Sequence, residues 1–481
     1  MKFATKAAKV RSHVSHPIID ADGHLVELGP VLDDELLSYL EEAGGRGLRD
    51  RYLAGAAKPF DTSTALANRD HPAVREKWLA MPSWWGWQTR NTLDRATAHL
   101  PRLLYERLDE IGIDFTLLYP SAVLALVDLD DVELGAALAR GANRWLARIF
   151  KPYRDRIAVG GIVPMNNPQT AIAELEYAVR ELGMKTLVVT GYARRLLGDQ
   201  GSQGFRLDTF GLDSEYDYDP FWAKCVELGV APLSHSSHLH TRVARSVSNY
   251  VYNHIGALAT SHESLAKSLF LGGVTRRFPT LRFGFLEGGV AWACSLYAEL
   301  LGHWSKRNSE SILDLDPDRL DVDELMKYVE EYGDDVVQAR LDRIRQFFSR
   351  PAARPEMLDE FSRAMIRKAE DIRDRFVPNF YFGCQADDPL VAWAFAGNVN
   401  PLGARFRAMM GSDISHWDVP DMTAPVAEAY ELVESGSISE DDFRKFTFLN
   451  AVRLHAGMNP RFFQGTICEK AVAEALAQGI G

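Results

Sequence analysis

Apolar positions along the chain alternate between two periods. Eight short runs are almost continuously apolar: Pro17–Ala21, Phe115–Tyr119, Ile157–Val163, Thr186–Thr190, Val230–Ser234, Arg282–Leu286, Phe380–Cys384 and Ala408–Met410. Runs of this length without a polar face predict strands buried on both sides. Between them the spacing lengthens to that of a helix, as in Ala171 to Leu182. Strands alternating with helices predict parallel βα units. Eight such units predict a closed barrel rather than an open sheet. An open doubly wound sheet would want a glycine-rich phosphate turn after its first strand, and Asp22-Gly23-His24-Leu25 is not one. The expected fold is therefore α/β: a single (β/α)8 TIM barrel over residues 1–481, distorted by helical and loop insertions.

Three stretches exceed an ordinary crossover. Residues 28–114 contain the cluster Trp84-Trp85-Gly86-Trp87, residues 191–219 are rich in Gly, Asp and Tyr and read as a loop, and residues 305–375 are charged and helical in pattern, broken at Pro351 and Pro355. Insertions of this size commonly build lids or subunit contacts, so a homodimer is expected. Trp84 is a candidate wall against a substrate, with packing in a core or interface as the commoner fate of such aromatics. The basic start, Met1 to Val14, reads as a solvated arm or an oligomer contact, because no apolar stretch of signal-peptide length follows it.

Composition narrows the function classes. Apolar residues make up 46% and charged residues 25% of 481, which is ordinary for a globular chain. The net charge of −12 disfavours phosphate backbones and anionic lipid, so neither nucleic acid nor membrane is an expected partner. The partner expected instead is a small-molecule substrate. Cys225, Cys294, Cys384 and Cys468 lie far apart with no Cys-x-x-Cys spacing, which points to reduced thiols and a cytoplasmic location.

The chemistry gathers where strands end. A barrel assembles its site at the C-terminal ends of its strands. The first predicted strand runs into Asp22 and His24, two apart and so on one face of an extended chain. The fifth runs into His235, with His238 and His240 close behind; the sixth into Glu287; the eighth into Asp413 and His416. Any one of these carboxylates could simply cap the following helix. Four strand ends that each present an imidazole or carboxylate instead describe a divalent metal site. A mixed His and carboxylate donor set suits zinc first, with iron or manganese as alternatives. Arg242 and Arg245 follow the fifth strand, and Arg242 is a candidate partner for a substrate carboxylate, although arginines on such helices more often face solvent. His254 and His262 read as structural, Asp387 and Asp388 as caps, and Asn450 and His455 as packing residues. Lys185 lies at the wrong end of its strand to serve as a bridging ligand.

Ile18-Ile19-Asp20-Ala21-Asp22-Gly23-His24-Leu25-Val26-Glu27, Ile111-Gly112-Ile113-Asp114, Phe278-Pro279-Thr280-Leu281-Arg282-Phe283-Gly284-Phe285-Leu286-Glu287-Gly288-Gly289 and Gly411-Ser412-Asp413-Ile414-Ser415-His416, in this order, resemble the metal-dependent amidohydrolase superfamily. The resemblance is to its amidohydrolase-related branch, which includes aminocarboxymuconate-semialdehyde decarboxylase. It implies that Asp22, His24 and His235 are metal ligands and that Asp413 acts both as ligand and as proton carrier. The sixth strand of the family usually supplies a His, where this chain has Glu287. That residue could ligate the metal, bridge a second ion, or be structural.

The expected activity is that of a metal-dependent hydrolase: an activated water attacks a carbonyl-type carbon of an amide, ester, thioester or C–C substrate. Asp413 shuttles the proton, and His238 or His416 stabilises the developing oxyanion. Two alternatives stand beside it. One is a non-oxidative decarboxylase of an aromatic or enoic acid. The other is a dinuclear non-haem iron enzyme, with Glu287 and Glu27 helping to hold a second metal.

Overall fold

A computed structural model of the chain describes residues 5–56, 90–124, 129, 131–198, 204–235, 246–350 and 359–479. Among the described residues there are ten strands: β1 Ile19–Leu25, β2 Phe115–Pro120, β3 Ile157–Ile162, β4 Thr186–Val189, β5 Ala193–Leu196, β6 Phe205–Asp208, β7 Pro232–Ser234, β8 Phe283–Phe285, β9 Phe380–Gln385 and β10 Arg407–Gly411. Eight form one parallel sheet in the order β1-β2-β3-β4-β7-β8-β9-β10. Its outer members meet where the Asp413 N–H donates to the Asp22 carbonyl (2.9 Å) and the His24 N–H to the Ile414 carbonyl (3.1 Å). The protein is a (β/α)8 TIM barrel, and all eight apolar runs predicted as barrel strands lie on it.

Burial on both faces explains the strands. The barrel interior holds Ile19, Ala21, Leu117, Tyr119, Val188, Leu233, Leu286, Tyr381 and Met409. Phe448, Val452, Phe462 and Phe463 of the C-terminal helical region join this cluster and plug the end from which the strands start. A second, larger cluster fills the layer between strands and helices. The helix Val132–Phe150 shows the logic: Leu134, Leu138, Ala142, Trp145 and Leu146 are buried along one stripe, and the Asp131 side chain caps its first turn. Gly112 and Gly229 end helices in the left-handed conformation that glycine adopts without strain.

Three sequence expectations need correction. β1 runs to Leu25 instead of stopping at Ala21, so Asp22 and His24 lie within the strand. Polar residues hold strand geometry there because the Asp20 carboxylate ties β1 to its neighbours through a register shift between Asp20 and Gly23. Residues 191–219 are more than a loop. β5 and β6 pair antiparallel, anchored by Arg195, which donates to Asp208, the Asn166 carbonyl and the Tyr218 hydroxyl. The basic start is a docked helix, Lys6–His13, rather than a solvated arm. Ala7 is buried, and Arg11 pairs with Asp114 at 2.5 Å, joining the helix to the turn before β2. No helix among the described residues is long and apolar enough to cross a membrane.

Candidate active site

Asp22 and His24 point from β1 into the mouth of the barrel. Their support is Asp20, a fully buried carboxylate. It accepts hydrogen bonds from the Thr116 hydroxyl (2.8 Å), the Ser412 hydroxyl (2.7 Å), the Ser412 N–H (2.9 Å) and the Asp22 N–H (3.1 Å). One side chain thus fixes β1 to β2 and to the end of β10, beside three of the candidate site residues. His235 directly follows β7, and its N–H donates to the Val189 carbonyl. Glu287 and Asp413 each stand two residues past a strand, at φ +58° and +50°. Left-handed backbone costs a non-glycine residue about 1 kcal/mol or more and persists only where the surroundings enforce it.

The side chains from these four strand ends converge. His24 Nε2 lies 3.3 Å from His235 Nε2, 3.5 Å from Asp22 Oδ1, 3.3 Å from Asp413 Oδ1 and 3.9 Å from Glu287 Oε2. His235 Nε2 lies 3.1 Å from Glu287 Oε2. His416 stacks on His24 with ring centroids 3.6 Å apart, and its Nδ1 is 2.5 Å from Asp413 Oδ1. The Ser121 hydroxyl at 3.0 Å from Nε2 fixes the other edge of the His416 ring. Two groups of ligand atoms, Asp22/His24/His235/Glu287 and His24/Glu287/Asp413/His416, lie within 4.8 Å of one another. Metal–ligand bonds of about 2.1 Å put opposed donors about 4.2 Å apart, so these sets could close on an ion with little movement.

Electrostatics argues for positive charge in this space. Burial pushes the Asp22 carboxyl well above the usual range, against the pull of His235 and with Glu287 and Asp20 adding to it. Burial also raises Asp413 well above its ordinary value, reinforced by Glu287 and Asp418. Glu287 goes the other way, to about 2: burial opposes this, but the hydrogen bond and charge of His235, with His416 and His254 behind it, prevail. Burial is likewise the leading influence on His235, pulling it down, yet Glu287 and Asp22 raise it overall. His24 is pushed well below and His416 down to about 3, chiefly by burial. Asp22 Oδ1 is buried with no hydrogen-bond donor. Three buried carboxyls that cannot all be anions in each other's company lack a cation, and a divalent ion supplies it. The residues fit a divalent metal.

Several other sequence readings can now be placed. Glu27 does not join the cluster, because its carboxylate accepts from the backbone N–H groups of Ser121, Ala122 and Val123 (3.2, 2.8 and 3.1 Å). The dinuclear reading therefore loses one of its two supports. His262 is structural, between the Ser234 hydroxyl and the Leu286 carbonyl. The Lys185 ammonium donates to the Phe462 carbonyl at the far end of the barrel. Asn450 donates to the Ala408 carbonyl, His455 stacks on Phe462, and Asp388 caps the Leu390 N–H. His238, His240, Arg242, Arg245, Trp84, Trp85 and Trp87 lie outside the described residues.

The sequence reading missed the aromatic wall of the site. Tyr250, His254 and Trp417 form a mutually packed trio: Tyr250 and Trp417 at 5.3 Å, His254 and Trp417 at 5.6 Å, and Tyr250 stacked on His254 at 5.5 Å. The negative charges of Asp418, Glu287 and Asp413 reach Tyr250, so the trio borders the carboxylate cluster. Trp417 directly follows His416, and that adjacency was the available signal.

A TIM barrel whose strand ends gather imidazoles and carboxylates around a divalent-ion site defines a metal-dependent barrel enzyme. The family described as Amidohydrolase matches residues 19–312, more than half of the sequence, and the chain belongs to that family within the amidohydrolase superfamily. Among solved structures, an amidohydrolase from Mycobacterium avium subsp. paratuberculosis K-10 is 18% identical, with a TM-score of 0.51 over 92% of this chain and 99% of that one. The 2,6-dihydroxybenzoate decarboxylase from Rhizobium is 17% identical, with a TM-score of 0.47 over 92% and 98%. The 4-oxalomesaconate hydratase from Rhodopseudomonas palustris is 14% identical, with a TM-score of 0.45 over 96% and 100%. At these identities only the fold is shared knowledge. No curated protein sequence matches.

Proposed function

We propose that this enzyme is a metal-dependent hydrolase that adds water to a carbonyl-type carbon of a small, uncharged substrate. Asp22, His24, His235 and Asp413 hold the ion, with Glu287 as a fifth donor in place of the His usual on that strand. Zinc is the first candidate, and the number of carboxylates also suits manganese or iron. When bound, the ion lowers the pKa of a coordinated water to about 7 and polarises the substrate oxygen. Asp413 accepts the proton of the attacking water and returns it to the leaving group. His416, held through Nε2 by Ser121 and through Nδ1 against Asp413, has both ring nitrogens engaged and keeps Asp413 in place, a positioning role in place of the oxyanion contact expected of it. The two converging ligand groups share His24 and Glu287, which favours one ion over a dinuclear iron centre.

The single observation that carries the choice of hydrolase over decarboxylase is the charge around the ion. Asp22, Glu287 and Asp413 face one another, and after burial the strongest influences on them come from other carboxylates and from histidines. A decarboxylase must admit a substrate carboxylate among these three, whereas a neutral ester or amide meets no such repulsion. Four buried, unpaired cysteines fit a reducing compartment, in keeping with a cytoplasmic enzyme. The test is a panel of neutral esters and amides, beside aromatic and enoic acids, assayed with zinc- and manganese-loaded protein. Hydrolysis of a neutral substrate is expected, with a fall of about 10²-fold or more in kcat for Asp413→Asn at retained metal content. Release of carbon dioxide from an acid, with no hydrolysis of the neutral panel, would establish the decarboxylase instead.

A further inference from the structure

We propose that the two-helix arm of residues 321–350 is the surface on which two copies of this chain associate. Its helices are Val322–Tyr332 and Leu341–Phe348, linked by the short helix Asp335–Gln338. The first buries only Met326 and the second buries no residue at all. Helices of 11 and 8 residues are marginal by themselves in water and take their stability from packing. What this arm offers for packing faces outward. Tyr332 is 76% exposed, Phe347 65%, Val336 61% and Tyr328 54%. A tyrosine or phenylalanine brings roughly 150–250 Å² of surface to a contact, so this set suits a partner rather than solvent.

Charge identifies the partner as a second copy. Residues 321–335 carry seven acidic side chains against Lys327 alone, while residues 339–350 carry four arginines against Asp342 alone. Within the chain, Arg345 pairs with Asp323. Glu330, Glu331 and Arg343 make no ion pair among the described residues. In a two-fold arrangement the acidic helix of one copy lies on the basic helix of the other, and the same contact occurs twice. The exposed aromatic residues fill the middle of that four-helix contact, and the charges fix its register.

Sedimentation velocity of the full chain at micromolar concentration tests this. The wild-type protein is expected to sediment as a dimer. Tyr332→Glu combined with Phe347→Glu is expected to give a monomer with an unchanged circular dichroism spectrum. Two charge-reversed chains, one with Arg340→Glu and Arg343→Glu, the other with Glu330→Arg and Glu331→Arg, should each be monomeric alone and dimeric when mixed. A monomeric wild-type chain overturns the proposal. So does a dimer that survives the paired aromatic substitutions, or a mixture of the charge-reversed chains that stays monomeric.

Discussion

At the scale of single residues, the site depends on side chains whose neighbours leave them one orientation. Asp413 sits in left-handed backbone, with Gln385 donating to its other oxygen at 3.3 Å and His416 against Oδ1. The aromatic trio next to it makes a separate prediction. Trp417→Ala removes the face that both Tyr250 and His254 pack against. An aromatic contact is worth about 1 kcal/mol, so KM should rise roughly fivefold with kcat nearly unchanged. A loss confined to kcat would move Trp417 out of substrate binding. The convergence of the candidate ligands Asp22, His24, His235, Glu287 and Asp413 was legible in the sequence because strand ends can be located and few other roles call for Asp-x-His there. The trio was not legible, since Tyr250 opens the short helix Tyr250–His254, Trp417 lies in the turn after β10, and each alone reads as an ordinary core aromatic.

Among the elements, β1 carries the greatest constraint, since it is a strand with three polar side chains in a buried position. Asp20 makes that possible. Asp20→Asn keeps the shape and can still satisfy both hydroxyls, which rotate to accept from the new amide. Asp20→Ala leaves the Thr116 and Ser412 donors buried without an acceptor, at a cost of about 1–3 kcal/mol for each. The alanine variant should therefore melt several degrees lower and bind the ion at least tenfold more weakly, while the asparagine variant stays near wild type; calorimetry with metal titration measures both. Equal behaviour of the two variants would remove the clamp. Gly23→Ala should resemble Asp20→Ala, because its methyl would sit 2.6 Å from Asp20 Oδ2 and 2.9 Å from Thr116 Oγ1. The eight barrel strands were readable as apolar runs, but the hairpin β5–β6 was not. Leu196, Phe205 and Leu207 are exposed, and Arg195 supplies the anchoring that a buried apolar face supplies elsewhere. The docked N-terminal helix escaped for a related reason: one buried alanine and one ion pair leave almost no periodic trace.

For the molecule as a whole, buried neutral histidines set the acid limit. Burial takes His455 down to about 3 and His16 to about 4, each from 6.5. The folded state therefore resists protonation while the unfolded chain accepts it. The stability these groups contribute is complete above pH 6.5 and is lost as pH falls toward 4. For fully buried His455 the loss is on the order of 3 kcal/mol by pH 4. His455→Leu, which keeps an apolar face on Phe462, should flatten the fall of Tm between pH 6.5 and 4; an unchanged slope would show that this ring does not govern acid unfolding. The seam where the outer strands of the barrel meet has a consequence in time. Ser412 and Asp20, which clasp across it, are 392 positions apart, so translation yields one half of the clasp long before the other. Until β10 slots in beside β1, a growing or severed polypeptide has no cage to offer a cation, and uptake of the ion reports that the ring has closed.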